Sequence, residues 1–237
     1  MRKAPPVVRV DLHCHSSFSD GACSPEQIAD KLAAANVQWA ALADHETTRG
    51  LARFQSALQR YDIQFISGVE IEVQSLDGVI HLLAYGFDPA DTTFQRYLNS
   101  LRYPLWNSAR RWLKGNGHNA NEGSQAANAI TQIHRADGIA VLAHPLDTFA
   151  DLKMLENALE CLISNGLDGL EAYYKPYQEK EQAMLVNLAK QRGLLVSAGS
   201  DFHGENLNLG ALPGMDIPEE DWQALLSILK MVESSPG

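Results

Sequence analysis

The chain of 237 residues is 45% hydrophobic and carries a formal net charge of -10. That is enough apolar material for one large core, and its field repels duplex DNA and anionic membranes. Three cysteines, Cys14, Cys23 and Cys161, with no CxxC pair, exclude a disulfide framework and a thiolate metal site and predict a reducing, cytoplasmic setting. The apolar stretch Val7 to Val10 is interrupted by Arg9 and is too short for a signal segment or a membrane span.

In chain order, β-rich or apolar runs near 7–13, 37–44, 63–73, 79–86, 139–143, 168–173 and 194–199 alternate with helical patterns at 25–35, 48–60, 92–114, 124–137, 151–165, 176–192 and 219–232. Such alternation predicts a parallel sheet with crossover helices. Seven units point to a closed or nearly closed barrel, an open doubly wound sheet being the alternative. Ser24-Pro25 with Gln27 marks the first helix start, Gly166 and Gly193 mark helix ends, and Glu219, Glu220 and Asp221 suit the positive end of the last helix. From Thr92 to Asn121 the chain carries Arg96, Arg102, Arg110, Arg111 and Lys114 and no acid, which reads as a solvated helix face or a rim that recruits phosphate. The stretch Gly115 to Ser124 reads as a mobile loop.

Six of the eight histidines stand where strands are expected to end, and acids stand in matching places. They are His13 and His15 in VDLHCH, His45 in LADH, His81 in IHLLAYG, His144 in VLAHP and His203 in SDFHG, with Asp20 in FSDG, Glu70 in GVEIE and Asp201 in GSDFHG. Residues i and i+2 of a strand share a face, so His13 and His15 can grip one ion while Cys14 points into packing. Only His81 sits inside an apolar run rather than at its end. Pro145 is expected to keep His144 extended, and Gly68 and Gly199 to allow close approach of neighbouring segments. Imidazole and carboxylate without thiolate suit Zn, Mn or Fe, and the nine residues read as one polynuclear centre. Glu72, on the same strand face as Glu70, is the rival for its role. Asp11 and Asp44 are expected to pair structurally or to orient an imidazole. His118 and His134 lack the strand-end context, although His118 could reach the pocket as a proton donor.

Together HCH, FSDG, ADH, GVEIE, HLLAYG, AHP and GSDFHG, from Val10 to about Gly210, resemble the PHP (polymerase and histidinol phosphatase) metal-dependent phosphoesterases. The resemblance implies an α/β fold, a distorted seven-stranded (β/α)7 barrel, formed by a single domain over 1–237 with a short helical lid insert at about 88–137. It further implies a trinuclear site: His13, His15, Glu70 and Asp201 on a first ion, Glu70, His81 and His144 on a second, Asp20, His45 and His203 on a third. The subgroup it most resembles acts on nucleoside 3′,5′-bisphosphates or RNA 5′ ends. Only 56 residues, Phe87 to Leu142, fill an interval that is usually longer there.

The expected reaction is hydrolysis of a phosphomonoester on a small metabolite, nucleotide or short oligonucleotide. Two to three divalent ions (Mn, Zn or Fe) would supply a bridging hydroxide, with Glu70, Asp201 and His203 at the reacting centre. Arg49, Lys175, Arg110 and Arg111 are candidate phosphate contacts. The alternatives are a C–N hydrolase on a related metal barrel and a metal-stabilised binding module without turnover. A panel of phosphoesters against amides and lactones separates the first; metal binding without phosphate release marks the second.

Overall fold

The computed structural model describes residues 6–75, 78–102, 123–204 and 212–233. Its first half runs β1 (Val7–Asp11), α1 (Pro25–Ala34), β2 (Trp39–Leu42), α2 (Leu51–Leu58), a 3-10 turn (Gln59–Tyr61), β3 (Gln64–Ser75), β4 (Gly78–Tyr85) and α3 (Thr92–Arg102). Its second half runs α4 (Gly123–Arg135), β5 (Ile139–Leu142), a helical turn (Pro145–Thr148), α5 (Leu152–Ser164), β6 (Gly169–Tyr174), α6 (Glu179–Gln191), β7 (Leu195–Gly199), β8 (Met215–Pro218) and α7 (Glu219–Glu233). The helix boundaries follow local chemistry. Ser24 and Gln27 form a reciprocal capping box ahead of Pro25, Asp151 caps α5 through the Met154 N–H, and Gly166 and Gly193 take positive φ after α5 and α6.

The strands form one sheet in the order β7-β6-β5-β4-β3-β2-β1-β8. Beyond the ladder, Leu12 N donates to Ala198 O at 3.0 Å, Asp201 N to His13 O at 2.8 Å and His15 N to Phe202 O at 2.8 Å, so β1 meets β7 and the sheet curls into a nearly closed barrel. Two features depart from the all-parallel, seven-stranded expectation. β4 is antiparallel to both β3 and β5, because so few residues separate β3 from β4 that only a hairpin can join them; a parallel crossover needs a dozen or so. β8 is an eighth strand, antiparallel to β1. Four residues that include Asp216 and Pro218 carry no alternation to read, and the pairing is fixed instead from a distance, by Arg9 on Asp216 at 2.9 Å.

Alternate residues along each strand feed two cores. Ala40 and Leu42 belong to the large layer between sheet and helices, whereas Val10, Leu12, Ala41, Ala43, Leu83, Val141 and Ala198 join the inward cluster. The α7 residues Trp222, Leu225, Leu226 and Leu229 belong to that inward cluster, so the last helix covers the barrel interior. The other end of the barrel is where the polar residues gather.

Candidate metal centre

His13 and His15 leave β1 on one face and are fully buried, while Cys14 turns away into the helix-side core, its Sγ 3.9 Å from Ser200 Oγ. The loops that carry them are pinned by two buried acids. Asp11 accepts from the Ser200 N–H at 3.0 Å, the Ser200 hydroxyl at 2.7 Å and the Gly214 N–H at 2.6 Å. Asp44 accepts from the Ser16 N–H and hydroxyl and from the Ser19 hydroxyl, each at 2.7 Å. Both acids therefore hold main chain and hydroxyls; neither orients an imidazole.

Glu70, 1% exposed, lies at the middle of the cluster. Its Oε1 faces His81 Nδ1 at 2.7 Å and His144 Nε2 at 3.1 Å; its Oε2 faces His13 Nε2 at 3.2 Å, His15 Nε2 at 3.1 Å and His45 Nδ1 at 3.5 Å. Asp201 Oδ1 stands 3.3 Å from His13 Nε2 and 3.1 Å from the His15 nitrogen. Asp20 Oδ2 lies 3.4 Å from His203 Nε2 and 3.6 Å from His45 Nε2. Three sets of donors result, His13-His15-Glu70-Asp201, His15-Asp20-His45-His203 and His45-Glu70-His81, with one atom per residue lying within 4.8 Å of every other in its set. His81 reaches the cluster from inside its strand because β4 runs backwards: Glu72 sits opposite His81 in the ladder, bringing the early half of β4 to the barrel end where its neighbours finish.

The backbone is strained where donors are delivered. His144 has φ 23° and ψ 61° instead of the extended geometry expected before Pro145, because its N–H donates to Glu171 Oε2 at 2.8 Å while its ring reaches Glu70. Asp201 (φ 55°) and Glu46 (φ 46°), beside His45, are likewise left-handed. At Gly199 a Cβ would stand 2.2 Å from that of His13 and 2.7 Å from Glu171 Oε1; at Gly68 it would stand 2.8 Å from the Leu42 carbonyl. Close approach at both positions bears out the reading of these glycines.

Electrostatics pull His13, His15 and His45 in different directions. Burial pulls His13 toward neutrality, but Glu171, Glu70 and Asp201 outweigh it and hold its pKa well above the usual value. For His15 burial is overcome by Asp201 and Glu70, and the pKa is pushed up to about 9. Burial wins at His45, which falls to about 4. The same imidazoles outweigh burial on the acids and hold Glu70, Asp201 and Asp20 well below the carboxylate range.

The donor set fits divalent cations. Nδ1 of His15 and Nδ1 of His144 are buried without a hydrogen-bond partner, a costly state unless something else occupies them. The 3.1–3.3 Å separations of His13 Nε2 and His15 Nε2 from Glu70 Oε2 and Asp201 Oδ1 are those of ligands about 2 Å from a shared ion. His203 Nδ1 lies 2.8 Å from the Asp201 carbonyl, which can only accept, so Nδ1 is the donor there and Nε2 is the nitrogen that faces Asp20.

Two residues of β6 escaped the sequence reading. Fully buried Glu171 faces His13 Nδ1 at 2.9 Å and accepts the His144 N–H; the Tyr174 hydroxyl donates to Asp201 Oδ2 at 2.8 Å. A register shift between Glu171 and Tyr173 lets residues three apart both address the cluster. The only signal in sequence was an acid inside the apolar run GLEAYY, where a buried charge needs a partner.

The remaining sites fall outside this constellation. Glu72 is a rim acid, 3.8 Å from His81 Nε2. His134 pairs with Asp168 at 2.8 Å. The Lys175 ammonium donates to the carbonyls of Leu212 and Gly214 rather than standing free for a phosphate. Arg49 lies against Thr47 and the Phe18 ring. Arg110, Arg111 and His118 lie outside the described residues.

An α/β barrel that gathers six imidazoles and three carboxylates at one end, with a carboxylate shared among them, has the architecture of a metal-dependent hydrolase. The chain belongs to the PHP domain family, whose model matches residues 11–200. It is 26% identical over 250 residues to a 3′,5′-nucleoside bisphosphate phosphatase of Chromobacterium violaceum, covering 83% of this chain and 88% of that protein. It is 28% identical over 260 residues to a 5′-3′ exoribonuclease of Haemophilus influenzae, covering 85% and 95%. Among solved structures, a metal-dependent phosphoesterase fold from Bifidobacterium adolescentis superposes with a TM-score of 0.76 at 21% identity, covering 95% of this chain and 98% of that one. Family, relatives and site agree: the chain is a metal-dependent phosphoesterase.

Proposed function

We propose that this phosphoesterase hydrolyses a phosphomonoester on a small phosphorylated metabolite, nucleotide or short oligonucleotide end, using the nine clustered residues as ligands. The observation that carries the reading is Glu70, whose two oxygens face two different groups of imidazoles, the arrangement of a bridging carboxylate. His13, His15, Glu70 and Asp201 would hold one ion, Glu70, His81 and His144 a second, and Asp20, His45 and His203 a third. Two to three divalent ions (Mn, Zn or Fe) held there would supply Lewis acidity, lowering the pKa of water toward ~7 and offsetting phosphate charge.

The chain's own residues fix that chemistry in place. Glu171 and Tyr174 orient His13 and Asp201, and burial of His13, His15 and Glu70 keeps bulk water from the inner wall of the site. The Asp201 carbonyl fixes the His203 ring through Nδ1 and leaves Nε2 as the atom offered to the third ion. The chain is read as one PHP domain with an insert at about 88–137, whose first helix, α3, is tied to the His45 segment by Gln95, which donates to Thr48 Oγ1 at 2.7 Å. A cytoplasmic setting suits three free cysteines and the absence, among the described residues, of any helix long and apolar enough to cross a membrane.

Metal analysis of unsupplemented protein, then phosphate release from histidinol phosphate, nucleoside 3′,5′-bisphosphates and 5′-phosphorylated dinucleotides against amides and lactones, tests the reading. Co-purified divalent metal and metal-dependent phosphate release are expected. Turnover of amides alone, or bound metal with no turnover, would overturn it.

A further inference from the structure

Of the nine clustered residues, His144 (φ 23°) and Asp201 (φ 55°) are the two with left-handed backbones. Neither is a glycine, so each conformation persists only where the surroundings over-determine it. The two come from different loops and, in the reading above, serve different ions, Asp201 the first and His144 the second. What surrounds both is one pair of buried aromatic side chains, Tyr174 and Tyr177.

Tyr174 addresses the two strained residues at once. Its hydroxyl donates to Asp201 Oδ2 at 2.8 Å, leaving Oδ1 to face His13 and His15, and its ring centre lies 5.5 Å from that of the His144 imidazole. Tyr177 grips the chain that follows His144: its hydroxyl oxygen accepts from the Leu146 N–H at 2.8 Å and the Asp147 N–H at 3.1 Å, the two amides after Pro145. The Tyr174 and Tyr177 rings meet edge to face with centres 4.7 Å apart. The pair is itself anchored. The Tyr177 N–H donates to the Tyr174 carbonyl at 2.9 Å, and Gln182 Nε2, in the first turn of α6, donates to the carbonyls of Tyr174 and Tyr177 at 3.1 and 3.0 Å.

We infer that Tyr174 and Tyr177 act as one brace that presets His144 for metal and couples its ion to the ion on Asp201. Both are positioning residues. An ion on Asp201 fixes the Tyr174 hydroxyl, Tyr174 fixes Tyr177, and Tyr177 fixes the turn that carries His144; by linkage the dependence runs equally in the other direction. The inference rests on the ligand assignment proposed above and adds to it a route between two ion positions that does not pass through Glu70.

The test titrates zinc into metal-depleted wild type and the Tyr174→Phe, Tyr177→Phe and Tyr173→Phe variants by isothermal calorimetry, with cobalt(II) absorption as a second readout of ligand geometry. Phenylalanine keeps each ring and removes only the hydroxyl. Tyr177→Phe should weaken one ion by about tenfold, the usual consequence of losing a group that orients a ligand, and reduce its cooperativity with a second. Tyr174→Phe should weaken two ions and change the cobalt spectrum. Tyr173→Phe is the control: it removes a hydroxyl of the same strand that bonds Asp221 at 2.8 Å, and it should bind zinc as the wild type does. Unchanged zinc affinity in Tyr177→Phe, an equal loss in Tyr173→Phe, or a loss that merely tracks a lower melting temperature of the metal-free variant overturns the brace while leaving the ligand assignment intact. Wild type that binds no divalent metal overturns the assignment and the brace together. Should Tyr177→Phe fail to fold, Gln182→Ala withdraws the anchor from α6 and should weaken the same ion; full affinity there refutes the brace.

Discussion

Of the nine clustered side chains, Glu70 and Asp201 are the ones no neighbour can replace, because each carboxylate faces both β1 histidines at once. Asp201→Ala or His13→Ala is expected to abolish phosphate release at every pH and with every added ion, and inductively coupled plasma analysis should find less bound metal. Glu171→Gln preserves shape but removes the charge that keeps His13 basic; metal affinity should fall about tenfold or more, read by competition with a chromogenic chelator. Normal affinity in that variant would reduce Glu171 to a packing residue. Cys14→Ala touches only the helix-side core and should keep most turnover. These donors were legible because histidine and aspartate after an apolar run are chemically conspicuous. Glu171 and Tyr174 were not, since their meaning lies in partners up to 158 residues away.

At the scale of elements, β6 donates no candidate ligand yet aims two of them, and its register shift is what allows both side chains to do so. Gly199 on β7 is just as constrained, with His13 where a side chain would go. Gly199→Ala should therefore displace His13 and weaken metal binding more than it lowers the melting temperature of the metal-free protein. Helix α7 brings no candidate ligand and works through packing and through Asp221, which accepts from the Tyr173 hydroxyl at 2.8 Å. Trp222, 1% exposed against the barrel interior, should cost about 3–5 kcal/mol when truncated to alanine, measured by denaturant unfolding with metal present. The helices were readable from capping residues and periodicity. The direction of β4 and the existence of β8 were not, because a strand's own alternation records its two faces but not which way its neighbour runs.

For the molecule as a whole, the metal centre is a knot of opposing charges, and its stability without metal must depend on pH. His15, raised to about 9, contributes stability that is complete below its ordinary 6.5 and is lost as pH rises toward 9. His45, lowered to about 4, contributes stability present above 6.5 and lost as pH falls toward 4. Chelated protein should accordingly have its highest melting temperature near the middle of that window and a falling one from 6.5 to 9. Divalent metal displaces the His15 proton, so saturating metal should abolish the fall on the alkaline side and its binding should release protons there. A chelated protein that melts at the same temperature from 6.5 to 9 would contradict the charge arrangement described for His15.

Read without coordinates, the residues settle which chemistry is available: six imidazoles and three carboxylates at the ends of apolar runs, a barrel-forming alternation, and no thiolate to compete. Donor type and strand face are local properties, set by each side chain and its two neighbours. Only the folded chain decides that one glutamate divides its oxygens between two groups of histidines and that an antiparallel strand delivers His81. Those are distances between segments remote in the chain, and they come into being when the sheet closes β1 against β7.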